Sequence, residues 1–134
     1  MIIVDTNIIA YLYLEGEYSN LAGKLLLADP DWAAPILWRS EFQNVLALYI
    51  RNGSLSVADA LLIMNEASRH MGGNEYEVAP SLVLRLVGKS SCSAYDCEFV
   101  ALARNLNVPL VTADQQTLKQ FPELAVSMDA FLKE

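Results

Sequence analysis

Four carboxylates stand where an acid is either a helix cap or a ligand: Asp5, Glu41, Asp96 and Asp114. Asp5 directly follows the apolar run Ile2-Ile3-Val4. Asp114 comes two residues after Thr112, where the run Val108-Pro109-Leu110-Val111 ends. An acid at a strand end can cap the next helix. Capping alone does not require an acid, because Ser, Thr or Asn serve as well. Acids at the ends of two strands therefore point to a shared task.

Glu41 is spaced at i+4 from Leu37 and i−4 from Val45, with Leu48 at i+7, which places it in an apolar stripe of a helix. A carboxylate there is costly unless it reaches water or is neutralised or hydrogen-bonded. Asn44, on the same side, is expected to orient it. Asp96 closes Ser93-Ala94-Tyr95-Asp96, a capping-box pattern, and leads the apolar face of Phe99, Val100 and Ala103. Amide dipoles at a helix start favour its ionised form.

Several carboxylates gathered in a partly dry cleft repel one another strongly. One or two divalent cations turn the same arrangement into a binding site. All-oxygen ligation suits Mg²⁺ or Mn²⁺, whereas zinc favours Cys and His. The lone His70 and the pair Cys92 and Cys97 lack ligand-rich spacing and read as structural. His70 is expected at a helix C-terminus, where partial positive charge is favourable. No Ser/His/Asp or Cys/His arrangement and no glycine-rich phosphate loop competes.

These acids need a scaffold that brings distant segments to one rim. Residues 2–4, 32–35, 76–78, 109–112 and 124–126 read as strands. Residues 6–15, 18–28, 36–52, 57–71, 81–89, 93–106 and 115–121 read as helices, with a terminal turn at 129–132. Alternating strands and helices predict a parallel sheet covered on both faces. Ligands of such sheets bind outside the carboxyl ends of the strands, where Asp5 and Asp114 fall.

The 134 residues suit one domain, 1–134, and 54% hydrophobic residues can fill its core. No apolar run is long enough to span a bilayer. No secretory leader is evident, and two cysteines make no disulfide framework, so a reduced, cytoplasmic setting is expected. The net charge of −7 argues against a plain nucleic-acid-binding module. It does not argue against an enzyme whose acids hold cations.

The succession Ile3-Val4-Asp5-Thr6-Asn7, Ser40-Glu41 with Asn44, Tyr95-Asp96 leading into Ala101-Leu102-Ala103, and Val111-Thr112-Ala113-Asp114 resembles the PIN-domain family. Within it the chain looks most like the VapC toxins of bacterial toxin–antitoxin pairs, over essentially its whole length. The resemblance implies an α/β fold, a three-layer α/β/α domain with a central, mostly parallel sheet. It implies an endoribonuclease dependent on Mg²⁺ or Mn²⁺, with Asp5, Glu41, Asp96 and Asp114 as acidic ligands. Thr112 with Thr6 or Asn7 would be supporting polar residues. It further implies an RNA substrate, a homodimer and a cognate antitoxin that blocks the acidic cleft. Many relatives carry another acid two residues after the last one; this chain has Gln116, which weakens the case for a second, tightly held metal. Arg39, Arg51, Arg85, Lys89 and Arg104 are candidate contacts to an RNA backbone. Two other readings stand beside this one. A receiver-like, Mg²⁺-binding phosphoacceptor would need a strand-end Lys, and Lys119 falls within a helix. A catalytically idle PIN-like module would bind only a partner.

Overall fold

A computed structural model describes residues 1–133. Among them, five short strands form one sheet: β1 (Ile2–Val4), β2 (Trp32–Pro35), β3 (Glu75–Tyr76), β4 (Leu110–Val111) and β5 (Ala125–Val126). The strand order is β3-β2-β1-β4-β5, and every pairing is parallel. The expected mostly parallel sheet is thus wholly parallel.

Eight helices connect and cover the strands: α1 (Thr6–Tyr13), α2 (Ser19–Ala28), α3 (Trp38–Arg51), α4 (Val57–Met71), α5 (Pro80–Val87), α6 (Ala94–Leu106), α7 (Gln115–Gln120) and α8 (Met128–Leu132). β1 and β2 are buried at every residue, as apolar strands must be when both sheet faces are covered. α6 packs on β1, β2 and β4 and is backed by α5, while α4 packs on β2. The result is the three-layer α/β/α arrangement. Among the described residues no helix is long and apolar enough to cross a membrane.

Two details of the packing position the site. The register Val4↔Val111 sets the next residue of each strand, Asp5 and Thr112, side by side. The start of α3 is anchored on β3 through Glu75. That carboxylate accepts from Trp38 Nε1 at 2.8 Å, from Arg39 Nε at 2.5 Å and from Arg39 Nη2 at 2.8 Å. The strand expected at 76–78 therefore begins one residue earlier, because Ala34 pairs with Glu75. Arg39 is engaged by this pair and by Ser68 Oγ, a structural use rather than a free contact for a ligand.

The core face of α3 also differs from the expected stripe. Trp38, Phe42 and Leu46 are its buried residues, while Leu48 is exposed. The full set of apolar positions on α3 spans more than one face. Packing buried the row Trp38, Phe42 and Leu46 and left Glu41 on the flank toward α1, where Thr6 meets it. His70 does lie in the last turn of α4, as expected, but its expected charge is corrected. It packs against the Trp32 ring at 5.1 Å, its Nδ1 meets the Tyr13 hydroxyl at 3.0 Å, and burial lowers its pKa. The side chain is a neutral part of the packing and not a cationic cap.

Candidate active site

Asp5 leaves β1 in extended conformation and accepts from Ile8 N at 3.1 Å, so it caps α1. Asp114 accepts from Thr117 N at 2.9 Å and from Thr117 Oγ1 at 2.6 Å, so it caps α7. Both acids are caps, and both line one cavity of about 280 Å³ at the carboxyl ends of β1 and β4. Capping uses part of a carboxylate's acceptor capacity and leaves the rest for a ligand.

Thr112 joins these two acids. Its buried hydroxyl donates to Asp5 Oδ2 and accepts from Asp114 N at 3.0 Å. Glu41 reaches the cavity from α3, and Thr6 Oγ1 donates to its Oε1 at 2.7 Å. Asn44 lines the cavity too, but the hydrogen bond expected of it comes from Thr6. Asp96 enters from the first turn of α6, whose start is capped by Ser93 Oγ accepting from Asp96 N at 3.1 Å. Asn7 completes the set, so all eight polar residues singled out in the sequence face one space.

The electrostatics follow from that convergence. Burial raises the Asp5 pKa to about 6, against hydrogen bonds that lower it, and the charge of Asp114 adds to the rise. Burial also raises Glu41, opposed by the Thr6 hydrogen bond and reinforced by Asp96. Asp96 is raised by burial first and by Asp114 second. None of the four acids forms a salt bridge among the described residues, and no Lys or Arg lines the cavity.

A hard cation fits this donor set, since it would replace mutual repulsion by attraction. Among the described residues no three Asp, Glu, His or Cys side chains stand close enough together to form a ligand shell by themselves. Mg²⁺ characteristically binds through one or two carboxylates and keeps several waters. The arrangement suits that mode better than a dry, all-protein cage.

Thr117 and Glu98 were not singled out in the sequence, and Phe99 was read there only as part of an apolar face. Thr117 holds Asp114, and the spacing Asp114…Thr117 is itself a capping signal. Phe99 forms an apolar part of the wall. Glu98 has a raised pKa from burial and from Glu41, a coupling between α6 and α3 that no local pattern reveals. Gln116 turns away from the acids: its Nε2 donates to Ser91 O at 2.8 Å and to Ser91 Oγ at 2.7 Å. Cys92 and Cys97 are buried and unbridged. Of the candidate cations, Arg85, Lys89 and Arg104 line a separate cavity between α5 and α6, which shares no residue with the acidic one.

A parallel sheet with acids converging at its carboxyl rim defines a class, and comparison with known proteins gives its name. The family model described as PIN domain matches residues 2–124, and the chain belongs to that family. Ribonuclease VapC3 of Pyrobaculum aerophilum is 27% identical over 126 residues, covering 92% of this chain and 96% of its own length. A crystal structure from Pyrobaculum aerophilum superposes with a TM-score of 0.78 at 21% identity, covering 98% of this chain and 93% of that one. A toxin–antitoxin complex from Klebsiella pneumoniae has a chain similar to this one, with a TM-score of 0.69 at 16% identity, covering 96% and 98%. At such identities the two structures speak for the fold. The receiver-like alternative loses its support, since Lys119 is exposed within α7.

Proposed function

We propose that this chain is a metal-dependent endoribonuclease that hydrolyses RNA phosphodiester bonds, and the toxin of a toxin–antitoxin pair. The observation that carries the reading is the convergence of Asp5, Glu41, Asp96 and Asp114 on one cavity without any cationic side chain. Its likeness to Ribonuclease VapC3 supports RNA as the substrate. The toxin–antitoxin complex among its structural relatives supports an antitoxin partner; a homodimer follows from the family resemblance alone.

Asp5 and Asp96 would hold the ion, with Asp114 and Glu41 completing the shell directly or through water. Bound Mg²⁺ or Mn²⁺ supplies a water of lowered pKa and offsets negative charge developing on the phosphate. Thr112 fixes Asp5 and the Asp114 backbone in one geometry, so neither acid needs to reorganise when RNA arrives. Thr6 sets the rotamer of Glu41. The raised pKa of Glu41 suits it to accept the proton of the attacking water. The water oxygen bonds to phosphorus, the bond to the leaving ribose oxygen breaks, and that oxygen takes up a proton from solvent, to which Glu41 returns the one it accepted.

The test is RNA cleavage by purified protein with Mn²⁺, with EDTA, and as Asp5→Asn. Cleavage is expected only for the unaltered chain with the ion. Full activity of Asp5→Asn, free of contaminating nuclease, would overturn the assignment.

A further inference from the structure

A second cavity of about 280 Å³ adjoins the acidic one and shares Asn7 and Val45 with it. Its character is different. Tyr11 of α1, Tyr18 before α2 and Tyr49 of α3 line it, and Glu15 and Glu17 stand at its edge. The Tyr11 and Tyr18 rings lie 5.0 Å apart at 45°, and Tyr18 keeps 43% of its surface exposed. Like its neighbour, this cavity is lined by no Lys or Arg.

A phosphate needs positive charge, which an ion in the acidic cavity would supply and no described side chain lining either cavity does. The two carboxylates of the tyrosine cavity repel a backbone. Ring faces and carboxylate oxygens instead match an unpaired base, which stacks on aromatic side chains and donates N–H groups from its pairing edge. Guanine presents an N1–H and an N2 amino group side by side, a pair that one carboxylate can accept together. Adenine and cytosine offer only an amino group on that edge, and uracil only an imino group.

We propose that this tyrosine cavity binds a single unpaired guanine base next to the scissile phosphate. This rests on the ribonuclease reading for its position in the substrate, not for the binding itself. It also accounts for how a chain of net charge −7 can hold RNA: through base stacking beside a cation, with few contacts to phosphate. Such binding is less sensitive to salt than a basic groove would be.

Two measurements test it. First, guanosine, which carries no phosphate, is titrated into the intact chain in EDTA while tyrosine ring signals are followed by NMR. Guanosine should shift Tyr18 and Tyr49 signals more than adenosine, cytidine or uridine does. Second, single-stranded oligoribonucleotides differing at one base are cleaved with Mn²⁺. Tyr18→Ala and Tyr49→Ala should raise KM for the guanine-bearing oligonucleotide about tenfold, the scale of one stacked base, with kcat within about twofold of the unaltered chain. The preference for guanine should vanish, and Tyr18→Phe should restore it. Unmoved ring signals, or variants with unchanged KM and base preference, overturn the proposal. So does a Tyr18→Ala chain that handles RNA normally and loses only a protein partner. Guanosine binding in a chain that cleaves no RNA would sink the ribonuclease reading and leave the base site standing.

Discussion

Thr6 Oγ1 donates to Glu41 Oε1 at 2.7 Å, tying the first residue of α1 to the fourth residue of α3. The two are neighbours only because α1 and α3 pack together. This bond lowers the pKa of Glu41 while burial raises it. Thr6→Val removes the donor at nearly constant volume. The Glu41 pKa should then rise further, and the acidic limb of the pH–rate profile should move to higher pH. A hydrogen bond of this kind contributes on the order of 1 kcal/mol, so kcat should fall about fivefold. Thr6→Ser should recover most of it. A profile unmoved in Thr6→Val would show that Glu41 does not titrate in the reaction.

Asp5 links activity to stability. The folded carboxyl keeps its proton up to about pH 6, whereas an unperturbed aspartate gives it up near 3.8. The folded state therefore binds more protons between those values, and its stability falls as pH rises through them. The size of the effect is about 1–3 kcal/mol. Metal-free protein should be more resistant to urea at pH 4.5 than at pH 7, so far as this group governs. Asp5→Asn keeps the cap and should be more stable than the unaltered chain at pH 7 in EDTA. Equal midpoints for the two proteins at pH 7 would contradict the burial argument.

Ion binding should reverse that penalty. A ligand that binds only the folded state stabilises it by about 2.7 kcal/mol at a hundred times its Kd. Mn²⁺ should raise the melting temperature at pH 7, and less at pH 5 where protons compete. Asp5→Asn and Asp96→Asn should lose most of the rise. Scanning calorimetry with and without EDTA reads both effects.

Gln116 provides a control. Its amide is held by Ser91 on the exposed segment before α6, away from the acids. Gln116→Ala should cost about 1 kcal/mol or less, as an exposed pair of hydrogen bonds would. Mn²⁺ affinity, measured by titration calorimetry, should be unchanged within about twofold. A large fall in affinity would place Gln116 at the ion after all.

The element order and the strand-end acids were legible because they rest on local physics. Apolar runs, helix periodicity and caps such as Asp5, Ser93 and Asp114 act within a few residues of themselves. Element ends moved by one or two residues, as for α1, which stops at Tyr13 rather than at 15. The resemblance to the PIN family supplied the association of the four acids. Proximity along the chain could not, since Asp5 and Asp114 are 109 residues apart.

By itself, the sequence determined which residues could cap, which could be buried, and which acids stood at chain turns. Tertiary structure alone decided that β1 lies between β2 and β4, so that Asp5 stands level with Thr112. It also decided that Thr6 rather than Asn44 holds Glu41, that the row Trp38, Phe42 and Leu46 of α3 faces the core, and that His70 is neutral. Register, desolvation and charge coupling are sums over neighbours contributed by the whole chain. No window of a few residues contains them.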